Sequence, residues 1–159
     1  MLFLICLYGH SILDVCTNYG TRLFLPFTNQ AFAWNNIAIA DIFYTLPMLV
    51  MLIVALCYSR TNPRRSQWIG ALFAYCFLYL GYTFANKIYI NYLYAQSIKT
   101  ENIPATRWMT NPTILTNFHW YALAANDSSI YVSETSVLFP PTKMAGTPYA
   151  RHGNLLNEY

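Results

Sequence analysis

Charge is what this sequence has least of. Only 9% of its 159 residues are Asp, Glu, Lys or Arg, against roughly 25% in an ordinary soluble domain. That scarcity excludes a basic nucleic-acid binder and a plain cytosolic globule. Disorder is excluded as well, because 56% of the residues are hydrophobic and 18% aromatic. Cysteine is sparse. Cys6, Cys16, Cys57 and Cys76 form no C-x-x-C pair, which leaves neither a zinc knuckle nor a disulfide framework. They read as buried small hydrophobes. The chain has no Gly-rich phosphate loop, no G-x-S-x-G elbow and no H-E-x-x-H.

What charge there is falls unevenly. Leu23 to Ser59 contains no Lys or Arg and one acid, Asp41. Ile42–Ser59 and Ser66–Asn86 carry no charge at all. As helices they measure about 27 Å and about 32 Å, the thickness of a hydrocarbon core of roughly 30 Å. The pattern predicts membrane spans near 37–59 and 66–86. A third, at 1–16, reaches only about 24 Å and has neither a basic n-region nor a small-residue cleavage site. It reads as the second half of a transmembrane helix, so the chain is expected to be an N-terminally shortened piece. Arg60, Arg64 and Arg65 mark the short connector as cytoplasmic by the positive-inside rule. Everything after Lys87 is then expected outside.

The expected fold is an α-helical membrane protein with about three transmembrane helices, the first truncated, and a small β-hairpin-containing C-terminal region. Residues 1–101 form the membrane part. In it, Lys87–Glu101 alternates polar and apolar residues at helical spacing and extends the third helix until Asn102-Ile-Pro104 stops it. Residues 102–141 form a β-rich module, with a hairpin of His119–Ala125 and Ile130–Phe139 around Asn126–Ser129. Residues 142–159 read as a mobile tail.

Against this background three ionisable residues stand out. His10 and Asp14 lie four apart, with Thr17 three further on, all within about 60° on one helix face. His10 and Asp14 can chelate one metal ion or bond to each other. In a membrane segment an ionisable residue points to function, although a satisfied His–Asp pair joining helices fits the same spacing. Asp41 begins the second span, with Thr45 one turn on. It reads either as a site residue or as the carboxylate that complements its helix N-terminus. Pro47 is expected to kink that helix. His119 and His152 read as non-site residues of the tail.

The order His10-x-x-x-Asp14-x-x-Thr17-x-x-Gly20-Thr21, then Pro26-Phe27, Phe32-Ala-Trp34 and Asp41-x-x-x-Thr45-Leu-Pro47, resembles the YdjM/YbcI-type membrane-bound metal-dependent hydrolases of bacteria. These are also described as LexA-binding inner-membrane proteins. The resemblance implies a hydrolytic site holding a divalent metal, zinc or another ion, on His10 and Asp14. Asp41 matches a later acid and becomes a third ligand or a general base. Thr17 is implied as a supporting hydroxyl and Gly20 as a backbone turn. The family's upstream T-H and H-R-G-x-T-H motifs have no counterpart here, so two ligands are in hand where a catalytic zinc usually has three and a water.

The function expected on this basis is metal-assisted hydrolysis of a lipid-like or amphiphilic ester or phosphoester at the bacterial inner membrane. Its partners are the lipid bilayer, the amphiphilic substrate and a protein partner; nucleic acid is not one. The rival reading is a non-catalytic membrane anchor or partner-binding scaffold. A transporter subunit is weaker, because so few intramembrane charges make a poor relay.

Overall fold

The computed structural model describes residues 2–141 and 146–150. Three helices precede a sheet: α1 (Leu2–Cys16), α2 (Ile42–Cys57), α3 (Pro63–Thr100), then β1 (Arg107–Pro112), β2 (His119–Ala125), β3 (Ser129–Ser136) and β4 (Thr147–Ala150). The strands form one antiparallel meander in the order β1-β2-β3-β4.

Helix lengths are set by local chemistry. The α1 helix ends where Thr17 donates its hydroxyl and its N–H to the Asp14 carbonyl. The chain then returns to bond α1's last carbonyls, with Trp34 N–H donating to Val15 O at 2.7 Å and Asn36 N–H to Cys16 O at 3.0 Å. These bonds supply partners that a helix C-terminus otherwise lacks. The second helix starts at Ile42 because Asp41 is its N-cap, accepting from Phe43 N–H and Tyr44 N–H. Pro47 lies inside α2. Its missing N–H frees the Phe43 carbonyl four residues back, and the Tyr75 hydroxyl of α3 donates to that oxygen. At the head of α3, Asn62 caps and Pro63 follows. The helix ends in a Schellman arrangement: Asn102 adopts φ 50° and Ile103 N–H reaches back to Ile98 O.

Length and composition single out one membrane-crossing helix among the described residues, α3, where the charge map predicts three. Only 6% of its apolar window is buried. The 16 residues of α2 are apolar but short, because Asp41 and the irregular segment before it take up the start of the predicted span. The predicted amphipathic extension is the continuous second half of α3. There Tyr94 packs with Ala122 and Ala124 of β2 to form the core, backed by Leu93, Ile98, Ile103 and Tyr131. The sheet is therefore mounted directly on the end of the long helix.

The predicted hairpin is β2–β3, with Trp120 opposite Thr135 and Ala122 opposite Ser133. It is flanked by β1 and β4, two strands beyond the expected hairpin. The segment expected as a mobile tail from residue 142 contributes β4, placed at the sheet edge where Pro148 is tolerated. Gly146 permits that approach, since a Cβ there would sit 2.9 Å from Ser133 Oγ and from Tyr131 Cβ. All four cysteines are free. Cys16 is buried as expected, whereas Cys6 and Cys57 are exposed on the apolar helices.

Candidate functional site

On α1, His10 Nε2 lies 3.5 Å from Asp14 Oδ2, with side chains 74% and 46% exposed. The helical repeat produces this pairing directly. The spacing also suits metal chemistry, because two ligands about 2.0–2.1 Å from a tetrahedral zinc stand about 3.3 Å apart. The pair therefore fits one edge of a metal site. It does not make a whole one. Among the described residues no group of three His, Cys, Asp or Glu side chains could hold a metal ion. The structure thus does not gather His10, Asp14 and Asp41 into one group.

Asp41 is occupied elsewhere. It is 1% exposed. One carboxylate oxygen caps α2, and the other accepts from the Tyr79 hydroxyl at 2.9 Å. Of the two readings open for Asp41, this is the helix-terminal one, strengthened by a partner from α3. Thr17 lies beside the pair, but its hydroxyl is taken by the Asp14 carbonyl at 2.7 Å. Gly20 has φ 78°, and a Cβ would come within 3.3 Å of Ala31 Cβ. The expected turn is therefore there, with the close approach that favours glycine. His119 is exposed on β2 opposite Ser136. His152 lies outside the described residues.

A second polar assembly escaped the sequence reading. Asn36 donates to Thr83 Oγ1 at 2.9 Å, and Asn117 donates to the Asn36 carbonyl at 2.6 Å. Asn86 donates to Asn117 Oδ1 at 2.8 Å, and Trp120 Nε1 to the Asn117 carbonyl at 2.9 Å. This buried chain of amides ties the α1–α2 loop, α3 and the sheet together. Beside it, Lys87 donates to the Thr110 carbonyl and, at 2.9 Å, to Thr110 Oγ1. Its ammonium lies 5.7 Å from the Trp120 ring. Burial without a carboxylate lowers the Lys87 pKa from 10.5 to about 8. One signal was available: Thr83 and Asn86 are polar residues at the end of a charge-free run, one turn apart on α3. Their partner Asn117 is 31 residues from Asn86, a distance that no local pattern spans.

No curated protein and no solved structure matches the chain. A family model described as YdjM inner membrane protein matches residues 1–89. The match includes His10, Asp14, Thr17 and Asp41 and stops before the sheet begins at Arg107. Covering more than half of the sequence, it establishes that the chain belongs to the YdjM family of inner membrane proteins.

Proposed function

We propose that this chain is a multi-pass inner-membrane protein that holds a divalent metal, zinc by preference, on His10 and Asp14 and serves in hydrolysis of a lipid-like or amphiphilic ester or phosphoester. The observation that carries the proposal is the exposed His10–Asp14 edge at 3.5 Å. Ionisable residues on an apolar helix point to function, and this pair is open enough for an ion to reach both side chains. A bound divalent ion supplies Lewis acidity and lowers the pKa of a coordinated water toward about 7. Asp41 and Thr17 act here through structure, the first by starting α2 and the second by closing α1.

In this proposal α3 crosses the bilayer. Arg60, Arg64 and Arg65 stand at its start and the sheet at its other end, so the Arg connector faces the cytoplasm and the sheet faces outward. The test is metal content of the purified full chain, with hydrolysis measured on a panel of nitrophenyl esters and phosphoesters. His10→Ala and Asp14→Ala should each lose the metal. Unchanged metal in both variants would overturn the site.

The second reading, a membrane scaffold, is favoured by the missing third ligand among the described residues. In it His10 and Asp14 are structural, and the result expected is no hydrolysis in the panel and the same metal content in wild type and both variants.

A further inference from the structure

We infer that the segment between α1 and α2 is a membrane-inserting finger, whose tip, Leu23–Phe27, lies in the lipid of the leaflet on the sheet's side. The inference rests on α3 crossing the bilayer and is independent of the hydrolytic reading.

The first argument is length. The 16 residues of α2 reach about 24 Å. They fall short of a hydrocarbon core of roughly 30 Å. The chain before α2 holds the apolar run Leu23–Phe27, and Arg22 is the one charge between Asp14 and Asp41.

The second argument is that the finger is built. Thr21 and Phe32 exchange backbone hydrogen bonds at 2.9 and 3.0 Å. Phe24 O accepts from both Phe27 N–H and Thr28 N–H, closing a turn. The Phe24 and Phe32 rings meet edge to face at 5.7 Å. Yet this ordered turn presents Leu23, Phe24, Leu25 and Phe27 outward, Phe27 at 93% exposure. A protein surface in water rarely holds such a patch, whereas the headgroup–acyl boundary accepts apolar side chains to a depth of about 5–10 Å.

The third argument is depth. The root of the finger is fixed to α3 by Trp34 against Phe84, 5.5 Å apart, and by Asn36 on Thr83. Thr83 and Phe84 lie in the last turn of the charge-free run Ser66–Asn86, so the root sits at the interface level that Trp favours. The tip's exposed apolar side chains, Leu23, Phe24, Leu25 and Phe27, are thus tethered at the level where the acyl chains begin, within the depth of about 5–10 Å that the headgroup–acyl boundary accepts. Arg22, at the base, is placed to reach lipid phosphates.

The experiment places a single cysteine in a full-length chain whose four native cysteines are replaced, labels it with an environment-sensitive fluorophore and reconstitutes it in phosphatidylcholine–phosphatidylglycerol vesicles. Phe27→Cys reads the tip. Phe77→Cys, exposed in the middle of α3's charge-free run, reads the membrane, and Asp127→Cys, exposed in the β2–β3 turn, reads water. The expected result is blue-shifted emission, quenched by brominated acyl chains, at 27 and 77 but not at 127. Quenching at 77 without quenching at 27 overturns the finger. Loss of quenching at 77 as well places the failure in the crossing of α3. Blue-shifted but unquenched emission at 27 shows a protein-covered tip and also overturns the proposal. If the cysteine-replaced chain does not fold, Phe27→Trp in the native background gives the same reading as added bromolipid-quenchable emission.

Discussion

The α1 helix and the junction between α3 and the sheet use polar side chains in opposite ways. At the junction Asn36, Asn86 and Asn117 are buried, and their side-chain N–H groups donate to Thr83 Oγ1, Asn117 Oδ1 and the Asn36 carbonyl. On α1 His10 and Asp14 stand open, each the other's ion-pair partner across 3.5 Å. Asp41, for which the sequence leaves both uses open, is buried and bonded like the first group. Burial decides the difference. A buried polar group must be matched by the fold or it destabilises the protein, so its chemistry is already used. An exposed pair on an apolar helix keeps its chemistry for a ligand.

That contrast breaks most visibly at Asn117. Asn117→Ala strands the Asn36 carbonyl and leaves the Asn86 amide with only its 3.3 Å bond to the Asn117 backbone carbonyl. At about 1–3 kcal/mol for the orphaned carbonyl and about 1 kcal/mol for the lost side-chain bond, the loss should total about 2–4 kcal/mol, read as a lowered unfolding midpoint in micelles. Asp41→Ala comes next. It removes an N-cap, about 1 kcal/mol, and strands the Tyr79 hydroxyl, about 1–3 kcal/mol. Asp41→Asn, which keeps a capping oxygen, should recover most of that loss. Equal losses from Ala and Asn would place the role of Asp41 in its charge rather than in its cap.

Lys87 gives a smaller effect with a definite sign. Its folded pKa, about 8, lies below the unfolded 10.5. Between those values the unfolded chain binds more protons, so stability rises with pH. The penalty is present in full below about pH 8 and is relieved as the pH rises toward 10.5. Lys87→Met keeps the stem against Trp120 and removes the charge. It relieves the desolvated charge but takes the Lys87 donor from the buried Thr110 carbonyl, so the sign is read from the pH trend: its midpoint relative to wild type should fall between pH 7 and pH 9.5. A relative midpoint that rises with pH would contradict a part-buried cation without a carboxylate partner.

Much of this was legible in the sequence because it is periodic or local. Charge-free runs marked α2 and α3, helical spacing carried α3 past Asn86, and alternation with a polar break gave β2–β3. The i, i+4 spacing put His10 and Asp14 on one face. The rest depends on partners far along the chain. The role of Asp41 is decided by Tyr79, 38 residues away, and the amide chain by Asn117. The β1 and β4 strands were hidden by Pro112, Pro148 and Gly146. These residues weaken a strand by propensity and are accepted at a strand end, on an edge strand and where a side chain would not fit.

The smallest expected effect on stability is at the candidate site itself. His10→Ala and Asp14→Ala should each change the unfolding midpoint less than Asp41→Ala, since their side chains are open where Asp41 is buried and caps a helix. The most direct measurement is therefore bound zinc and unfolding midpoint together, on wild type, His10→Ala, Asp14→Ala and Asp41→Ala prepared identically. The expected result is a clean split: the two α1 variants lose zinc and keep their midpoint in metal-free buffer, while Asp41→Ala keeps zinc and loses stability. Zinc lost from Asp41→Ala at an unchanged midpoint, or retained in both α1 variants, would contradict it.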